Sequence, residues 1–395
     1  MSEVKTKVPQ LRFPGFSDEW EEKKLGNISK LTSSKRVYLD DYVQSGIPFY
    51  RGKEISELQK GLTPKDILYI SNESYEQYKS KYGIPQVDDI LITAVGTLGN
   101  ILRIKDRKPF YFKDGNLIWI KDIYEYSNFL EILLEVKNKE IQKTSIGSTQ
   151  RALTMVELRK LLLPFPAKQE QQKIAAFLTA VDTKIEQLSK KQELLGEYKK
   201  GLMQQIFSQA IRFKADDGST FPEWKEKKLG DIVRFENGKG HEQNISKDGK
   251  FIVVNSKFIS SQGRVKKYTD TQKSPLNFGD VVMVMSDVPN GKALAKCYYI
   301  EQDNLYSLNQ RICGLKHKLA DTKFIYYRIN RHKYFLSFDS GVGQTNLKKM
   351  EILNCPLNIP TDIKEQAKIA NFLSSVDNKI EQVGKQLDES KQFKK

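Results

Sequence analysis

The 395-residue chain is short of several features that would assign it quickly. No apolar run approaches the roughly 18 residues that a membrane-spanning helix needs, so no membrane role is expected. The opening segment MSEVKTKVPQ has no apolar core, which argues against a secretory signal. Cysteine is scarce. Cys297, Cys313 and Cys355 are far apart and odd in number, so they make neither a disulfide framework nor a zinc knuckle. Histidine is equally scarce, and His241, His317 and His332 have no metal-ligand spacing. A soluble, cytoplasmic protein that binds no metal is the expectation.

Catalytic signatures are absent as well. The chain has no GxxxxGK[ST] phosphate loop and therefore no anion cradle for an ATP motor. It has no Asp/Asn-Pro-Pro-Tyr/Phe tetrapeptide to grip a target amine, and Asp287-Val288-Pro289-Asn290 is no substitute. No serine sits in GxSxG. Triplets such as Glu226-Lys227-Lys228 resemble part of a nuclease centre, but in a chain that is 29% charged they arise by chance. The expectation is a protein that performs no catalysis by itself and binds no cofactor.

What is present is apolar content for real cores, 39% hydrophobic with 10% aromatic, and a length that suggests two or three domains. Lys and Arg number 65 against 49 acids, a net charge of +16. The excess is uneven: +4 over residues 1–166, +2 over 167–208, +9 over 209–360 and +1 over 361–395. A basic surface on one globular part suits a phosphate backbone, since neutralising phosphates releases condensed counterions. A merely lysine-rich soluble surface would carry the same charge.

The chain also repeats itself. FSDEWEEKKLGNI, with Trp20, Leu25, Gly26 and Ile28, returns 204 residues later as TFPEWKEKKLGDI, with Trp224, Leu229, Gly230 and Ile232. EQQKIAAFLTAVDTKIEQ from Glu170 returns 195 residues later as EQAKIANFLSSVDNKIEQ from Glu365. A period near 200 is far beyond that of a solenoid, so this is a duplicated module. Weaker echoes link Asp89–Ile92 with Asp280–Met283, and Gly147–Leu153 with Gly341–Leu347.

Each module reads as a mixed domain followed by one long helix. Short β-type runs such as Ile90–Val95, Leu117–Ile120, Phe251–Val254 and Val281–Met285, with helical stretches near 129–139 and 324–338, predict α+β domains. The helical part has Ile174, Leu178, Val181, Ile185, Leu188, Leu195, Leu202 and Ile206 at alternating steps of four and three, interrupted at Gln192 and Lys199. Ile369, Leu373, Val376, Ile380 and Val383 repeat the rule. About 40 residues of helix span on the order of 60 Å, and heptads favour a helix–helix seam. The expected architecture is two globular α+β domains, 1–166 and 209–360, with spacer helices 167–208 and 361–395 paired in an antiparallel coiled coil. Phe177 and Phe372 would flank the seam.

This order of Trp-x-x-x-x-Leu-Gly-x-Ile start, β-rich region with DILITAVGTLGN (Asp89–Asn100), Gly/Gln-Thr turn, proline step and EQxKIAxFLxxVDxKIEQ helix, all repeated, resembles the specificity subunit of Type I restriction–modification enzymes. The resemblance covers essentially the whole chain. It implies two target-recognition domains that each read one half of a bipartite double-stranded DNA site. It further implies two modification subunits that methylate adenine, and restriction subunits that translocate and cleave. Those partners, rather than this chain, would use S-adenosylmethionine, ATP and Mg. One departure shows: the first helix runs on through Gly201–Gln209, whereas the second stops at Lys395, equivalent to Lys200. Either a trimmed chain or a shorter second helix accounts for it. Two alternatives stay open, a protein-only coiled-coil scaffold and the recognition module of a fused restriction enzyme.

Basic residues hold phosphates, while Asn, Gln, Arg and Ser/Thr in loops read base edges. The candidate DNA contacts in the first domain are Lys35, Arg36, Tyr50, Arg51, Lys53 and Thr97. In the second they are Asn255, Ser256, Lys257, Arg264, Lys266, Lys267, Asn290, Lys292, Asn309, Gln310 and Arg311. The turns Gly147–Gln150 and Gly341–Thr345 recur in both copies, so scaffold or subunit contact is expected of them, and Trp20 and Trp224 are expected to be structural.

Overall fold

A computed structural model describes residues 9, 11–147 and 151–394. The chain divides into two compact units, with the boundary in sequence between Lys184 and Ile185. Each unit is built on a four-stranded antiparallel sheet. In the first the strand order is Lys30–Thr32, Leu117–Lys121, Ile90–Thr93, Ile101–Arg103; in the second it is Val233–Asn237, Ile312–His317, Val281–Val284, Cys297–Tyr299. The duplication therefore extends to sheet topology.

The apolar runs at the centre of these sheets are continuous because both faces are covered. Side chains alternate across a strand. Ile90 and Ile92 enter one core with Phe129, Leu130 and Leu134 of the helix Ser127–Val136, while Leu91 enters another with Ile55, Phe112 and Trp119. In the second unit Val281 and Met283 pack with Phe324 and Ile325 of the helix Thr322–Ile329. Val282 and Val284 pack with Val254, Phe258 and Leu308 on the opposite face.

That opposite face carries a second, smaller sheet, and here the copies diverge. In the first unit its order is Tyr42–Val43, Leu68–Ile70, Ile47–Tyr50, Tyr111–Phe112; in the second it is Tyr268–Thr269, Phe251–Val254, Tyr306–Leu308, Pro275–Leu276. Both retain one parallel pairing, Ile47–Tyr50 with Tyr111–Phe112 and Phe251–Val254 with Tyr306–Leu308. The outer strands are rearranged around it.

A two-stranded ribbon closes each module, Glu21–Lys24 with Leu162–Phe165 and Lys225–Lys228 with Pro356–Ile359. The ribbon feeds a long helix, Lys168–Phe207 in the first case and Ile363–Lys394 in the second. A repeated clamp seats the start of each. Arg12 donates to Glu170 through Nε at 2.6 Å and through a terminal nitrogen at 2.7 Å, and Phe13 meets Phe177 edge-on at 5.5 Å. Arg212 donates to Glu365, Phe213 meets Phe372 edge-on at 5.5 Å, and Trp224 Nε1 donates to Glu365 at 3.1 Å. Both glutamates are completely buried. Phe177 and Phe372 therefore anchor the helix starts on Phe13 and Phe213, which corrects their expected place beside the seam.

The heptad stripe does two jobs. Its first turns dock on their own domain: Ile174 and Ala175 belong to the first core, and Ile369, Ala370 and Leu373 to the second. Ile174 thus packs on its own domain, a correction to the seam reading, whereas Ile369 and Leu373 share the second core with Met203, Ile206 and Phe207 of the first long helix and so meet both their domain and that helix. Leu178 and Val181 are half-buried. Beyond those turns the second unit does contain an antiparallel helix pair. Lys199 Nζ lies 2.6 Å from Asp377 Oδ1, and Gln192 abuts Gly384, so position rises along one helix as it falls along the other. Val376 and Val383 are buried there, and Ile185, Leu188 and Ile380 are half-buried. The two polar interruptions of the heptad are cross-helix partners: Lys199 reaches Asp377, which also accepts from Tyr327 Oη at 2.7 Å, and Gln192 fills the space left by a glycine.

Candidate functional site

Parallel strands place their carboxyl ends side by side, so the loops that follow become neighbours. In the second unit those loops start at Asn255 and Asn309, whose backbone N–H donates to the Val254 carbonyl at 3.2 Å. A polar cleft of about 320 Å³ opens there, lined by Glu242, Asn255, Ser256, Ser286, Asn309, Gln310 and Arg311 with Ile312 at its base. Five of the residues expected to contact DNA, Asn255, Ser256, Asn309, Gln310 and Arg311, are brought together. Glu242 and Ser286 were not anticipated.

Each wall is set by local chemistry. Asn255 caps the short helix Ser256–Ser260, its Oδ1 accepting from Phe258 N at 2.9 Å. Arg311 is exposed in the left-handed region at φ 66°, and its carbonyl accepts from Met285 N at 3.0 Å. That conformation costs a non-glycine residue about 1–2 kcal/mol, and such strain clusters at functional sites. Gln310 Nε2 donates to Glu242 Oε1 at 2.7 Å. The Glu242 carboxyl is held below the usual carboxylate range, first by its own backbone N–H and then by the Gln310 and Asn309 side chains, so it is ionised at neutral pH. Ser286 pairs with Asn346 in the ribbon Ser286–Asp287/Thr345–Asn346 and accepts from Gln344 Nε2 at 2.6 Å. The repeated turn Gly341–Thr345 is thereby scaffold at the cleft edge; its counterpart includes Ser148, Thr149 and Gln150, which lie outside the described residues.

The remaining second-unit candidates lie outside the cleft lining. Lys257, Lys266, Lys267, Asn290 and Lys292 are exposed, and Arg264 Nε donates to the Ser261 carbonyl at 3.0 Å.

In the first unit the same pairing brings Arg51 beside Lys113, whose N–H donates to the Tyr50 carbonyl at 2.9 Å. Two of the expected contacts have partners within the domain. Tyr50 stacks on Phe110 at 5.0 Å, and burial raises its phenol pKa, so its ring packs half-buried against the first-unit core. Arg51 is tied to buried Glu54 at 2.5 Å, a bond that raises its pKa, and caps the helix Gly52–Gln59. Lys53 pairs with Asp66 at 3.1 Å, Lys35 lies over Tyr82, and Arg36 pairs with Asp114 at 3.4 Å. Thr97 is exposed between Gly96 and Gly99, both at φ 80°. The sequence reading missed the loop Lys113–Asn116, the first-unit counterpart of Asn309–Arg311. Its signal was present in Lys-Asp-Gly-Asn between two β-type runs. Among the described residues no group of His, Cys, Asp and Glu is arranged to hold a metal ion, and no helix is long and apolar enough to cross a membrane.

Comparison with known proteins agrees with this arrangement. The sequence model of the Type I restriction modification DNA specificity domain matches twice, at residues 17–195 and 222–389. A putative type I restriction enzyme specificity subunit of Haemophilus influenzae is 32% identical over 162 residues, covering 40% of this chain and 39% of that protein. The putative MjaX specificity subunit of Methanocaldococcus jannaschii is 23% identical, over 96% of this chain and 91% of its own. Among solved structures, the S subunit of a Type I restriction–modification system from M. genitalium has the same fold, with TM-score 0.63, 15% identity, and coverage of 98% of this chain and 96% of that one. Matched once in each half by the same domain, the chain belongs to the Type I restriction–modification DNA specificity family, as a specificity subunit that recognises DNA and leaves catalysis to other subunits.

Proposed function

We propose that each unit reads one half of a bipartite site, through the loops that follow its parallel strand pair. The supporting observation is the divergence of the copies at one place. The main sheets share strand order, whereas the outer strands of the small sheets and the residues at the parallel-strand ends differ. A common frame with different reading edges suits two different half-sites. The segments 1–166 and 209–360 are the two target-recognition domains, and the helices 167–208 and 361–395 set the distance between the half-sites. Grafting residues 216–358 onto another member of the family is expected to transfer one half of the methylated sequence and leave the other half unchanged. A hybrid that altered both halves, or neither, would refute the assignment.

The helices also dock two modification subunits, which methylate adenine after flipping it from the duplex, and restriction subunits complete the assembly. S-adenosylmethionine, ATP and Mg are bound by those partners. Leu194 and Tyr198 on the first long helix support a docking role. They are 50% and 56% exposed, beside a groove of about 480 Å³ that Lys190, Lys191 and Leu195 also line.

Phosphate and base contacts are separable by salt. Each phosphate neutralised on B-DNA contributes about −0.9 to the slope of log K against log salt. Replacing the exposed Lys266 and Lys267 together is expected to weaken the assembled complex on all duplexes and flatten the slope by up to about two. Arg311→Ala is expected to relax preference at one position by about 1–3 kcal/mol. A salt titration on cognate and scrambled duplexes checks both, and a lysine pair that changes neither slope nor affinity would show that this edge faces away from DNA.

A further inference from the structure

The second-unit cleft contains an acid where a DNA-facing surface would be expected to be basic, and its surroundings give that acid a purpose. The strand Val233–Asn237 leads into Gly238-Lys239-Gly240-His241-Glu242, a segment pressed against Asn309. A Cβ on Gly238 would lie 2.0 Å from the Asn309 carbonyl oxygen, and one on Gly240 would lie 2.8 Å from Glu242 Oε2. Only glycine fits at 238, whereas a side chain at 240 would require the end of Glu242 to move.

Behind the cleft, His241 is fully buried. Its Nδ1 is 2.7 Å from the Lys239 carbonyl oxygen and 3.3 Å from Asn309 Oδ1, and its Nε2 is 2.8 Å from Ser307 Oγ. A carbonyl only accepts, so the proton is assigned to Nδ1, and the ring turns the Asn309 oxygen inward. The Asn309 amide nitrogen is then left for the Glu242 side, where it helps to keep that carboxyl ionised. Gln310 also spends its amide nitrogen on Glu242, at 2.7 Å. An ionised carboxylate accepts and never donates, so Glu242 dictates which end of each carboxamide faces it. The Gln310 carbonyl oxygen and the Arg311 guanidinium have no partner among the described residues, and they are left as an acceptor and a donor at the cleft.

We propose that Glu242 is a positioning residue that fixes the hydrogen-bond polarity of this cleft and so the class of base the second unit reads. The acceptor of Gln310 meets an exocyclic amino group, cytosine N4 or adenine N6, beside a guanine held by Arg311 through O6 and N7. The proposal rests on the specificity reading and adds the chemistry of one half-site.

Conservative replacement separates polarity from shape. In Glu242→Gln the new amide can donate to the Gln310 oxygen, which lets Gln310 turn and present its NH₂ group to the cleft. The assembled complex, with its modification subunits, would be assayed for methylation of a duplex pool randomised in the second half-site. For the wild-type chain one position is expected to require adenine or cytosine. For Glu242→Gln that position should shift towards thymine or guanine by on the order of tenfold, with the first half-site and the spacing unchanged. Glu242→Ala frees the amides and should relax the same position. Glu242 is exposed, so neither change removes core packing. A Glu242→Gln complex that kept the wild-type preference, or that lost methylation equally on every sequence, would overturn the proposal and leave the specificity reading intact. A wild-type complex with no preference in either half-site would overturn that reading, and the proposal with it.

Discussion

Arg212→Ala is expected to lower the stability of the second unit by about 3–5 kcal/mol, because it strands a buried carboxylate without its cation. Glu365 is fully buried, and Arg212 supplies the only cation paired with it among the described residues. Trp224 Nε1 would remain as a donor, which is too little to compensate a charge. Urea unfolding of the full chain, followed by Trp fluorescence, gives the shift in midpoint. Arg212→Ala combined with Glu365→Gln should recover a substantial part of the loss, since the second change removes the stranded charge. Arg12→Ala should do the same to the first unit, where Arg12 holds Glu170 through two bonds. Single mutants as stable as the wild type would show that these pairs do not seat the helices.

The second large effect separates the two jobs of the heptad stripe. Leu373→Asp should prevent the second unit from folding. The residue is fully buried in a core with Phe324, Trp224 and Ile352, so the change loses apolar packing of about 2–5 kcal/mol. It also buries a carboxylate. Val383→Asp lies further along the same helix and outside that core, so it should loosen the antiparallel pair while the domain stays folded. Leu178→Asp, at a half-buried position, should be the mildest. Soluble yield and limited proteolysis rank the three. If Leu178→Asp were the most damaging, the division between core and seam would be wrong.

The clamp and the stripe show what was legible in the sequence. Two modules, α+β domains and helices over 167–208 and 361–395 follow from repeated words and heptad steps, because long periodic patterns report backbone geometry directly. The Arg12-Phe13 and Arg212-Phe213 pairs escaped notice because the linkers to Trp20 and Trp224 differ in length, which breaks the common offset. The heptad could not say which leucines meet a sheet and which meet a helix, since both partners want the same stripe. Ile174 went astray for that reason, while Ile369 and Leu373 meet a sheet-based core and the first long helix at once.

The candidate site was partly legible. Asn309-Gln310-Arg311 stands out as a polar triplet between two β-type runs, and its neighbour Asn255 was found through the repeat. The packing of Tyr50 on Phe110 was not legible, because an aromatic residue at a strand end packs inward as readily as it faces solvent. The Arg51–Glu54 pair was not legible because Glu54 sits one helical turn away, where a capping contact looks like any other charged pair. Glu242 was missed because it joins the cleft only through tertiary structure, and because an acid is easily discounted in a search for DNA contacts.

The most direct test of the central claim is methylome sequencing of cells that express this chain with a cognate modification subunit and no other methylating system. The account predicts adenine methylation at one bipartite motif, two short specified halves separated by a fixed unspecified gap. A continuous motif, or methylation independent of this chain, would contradict it.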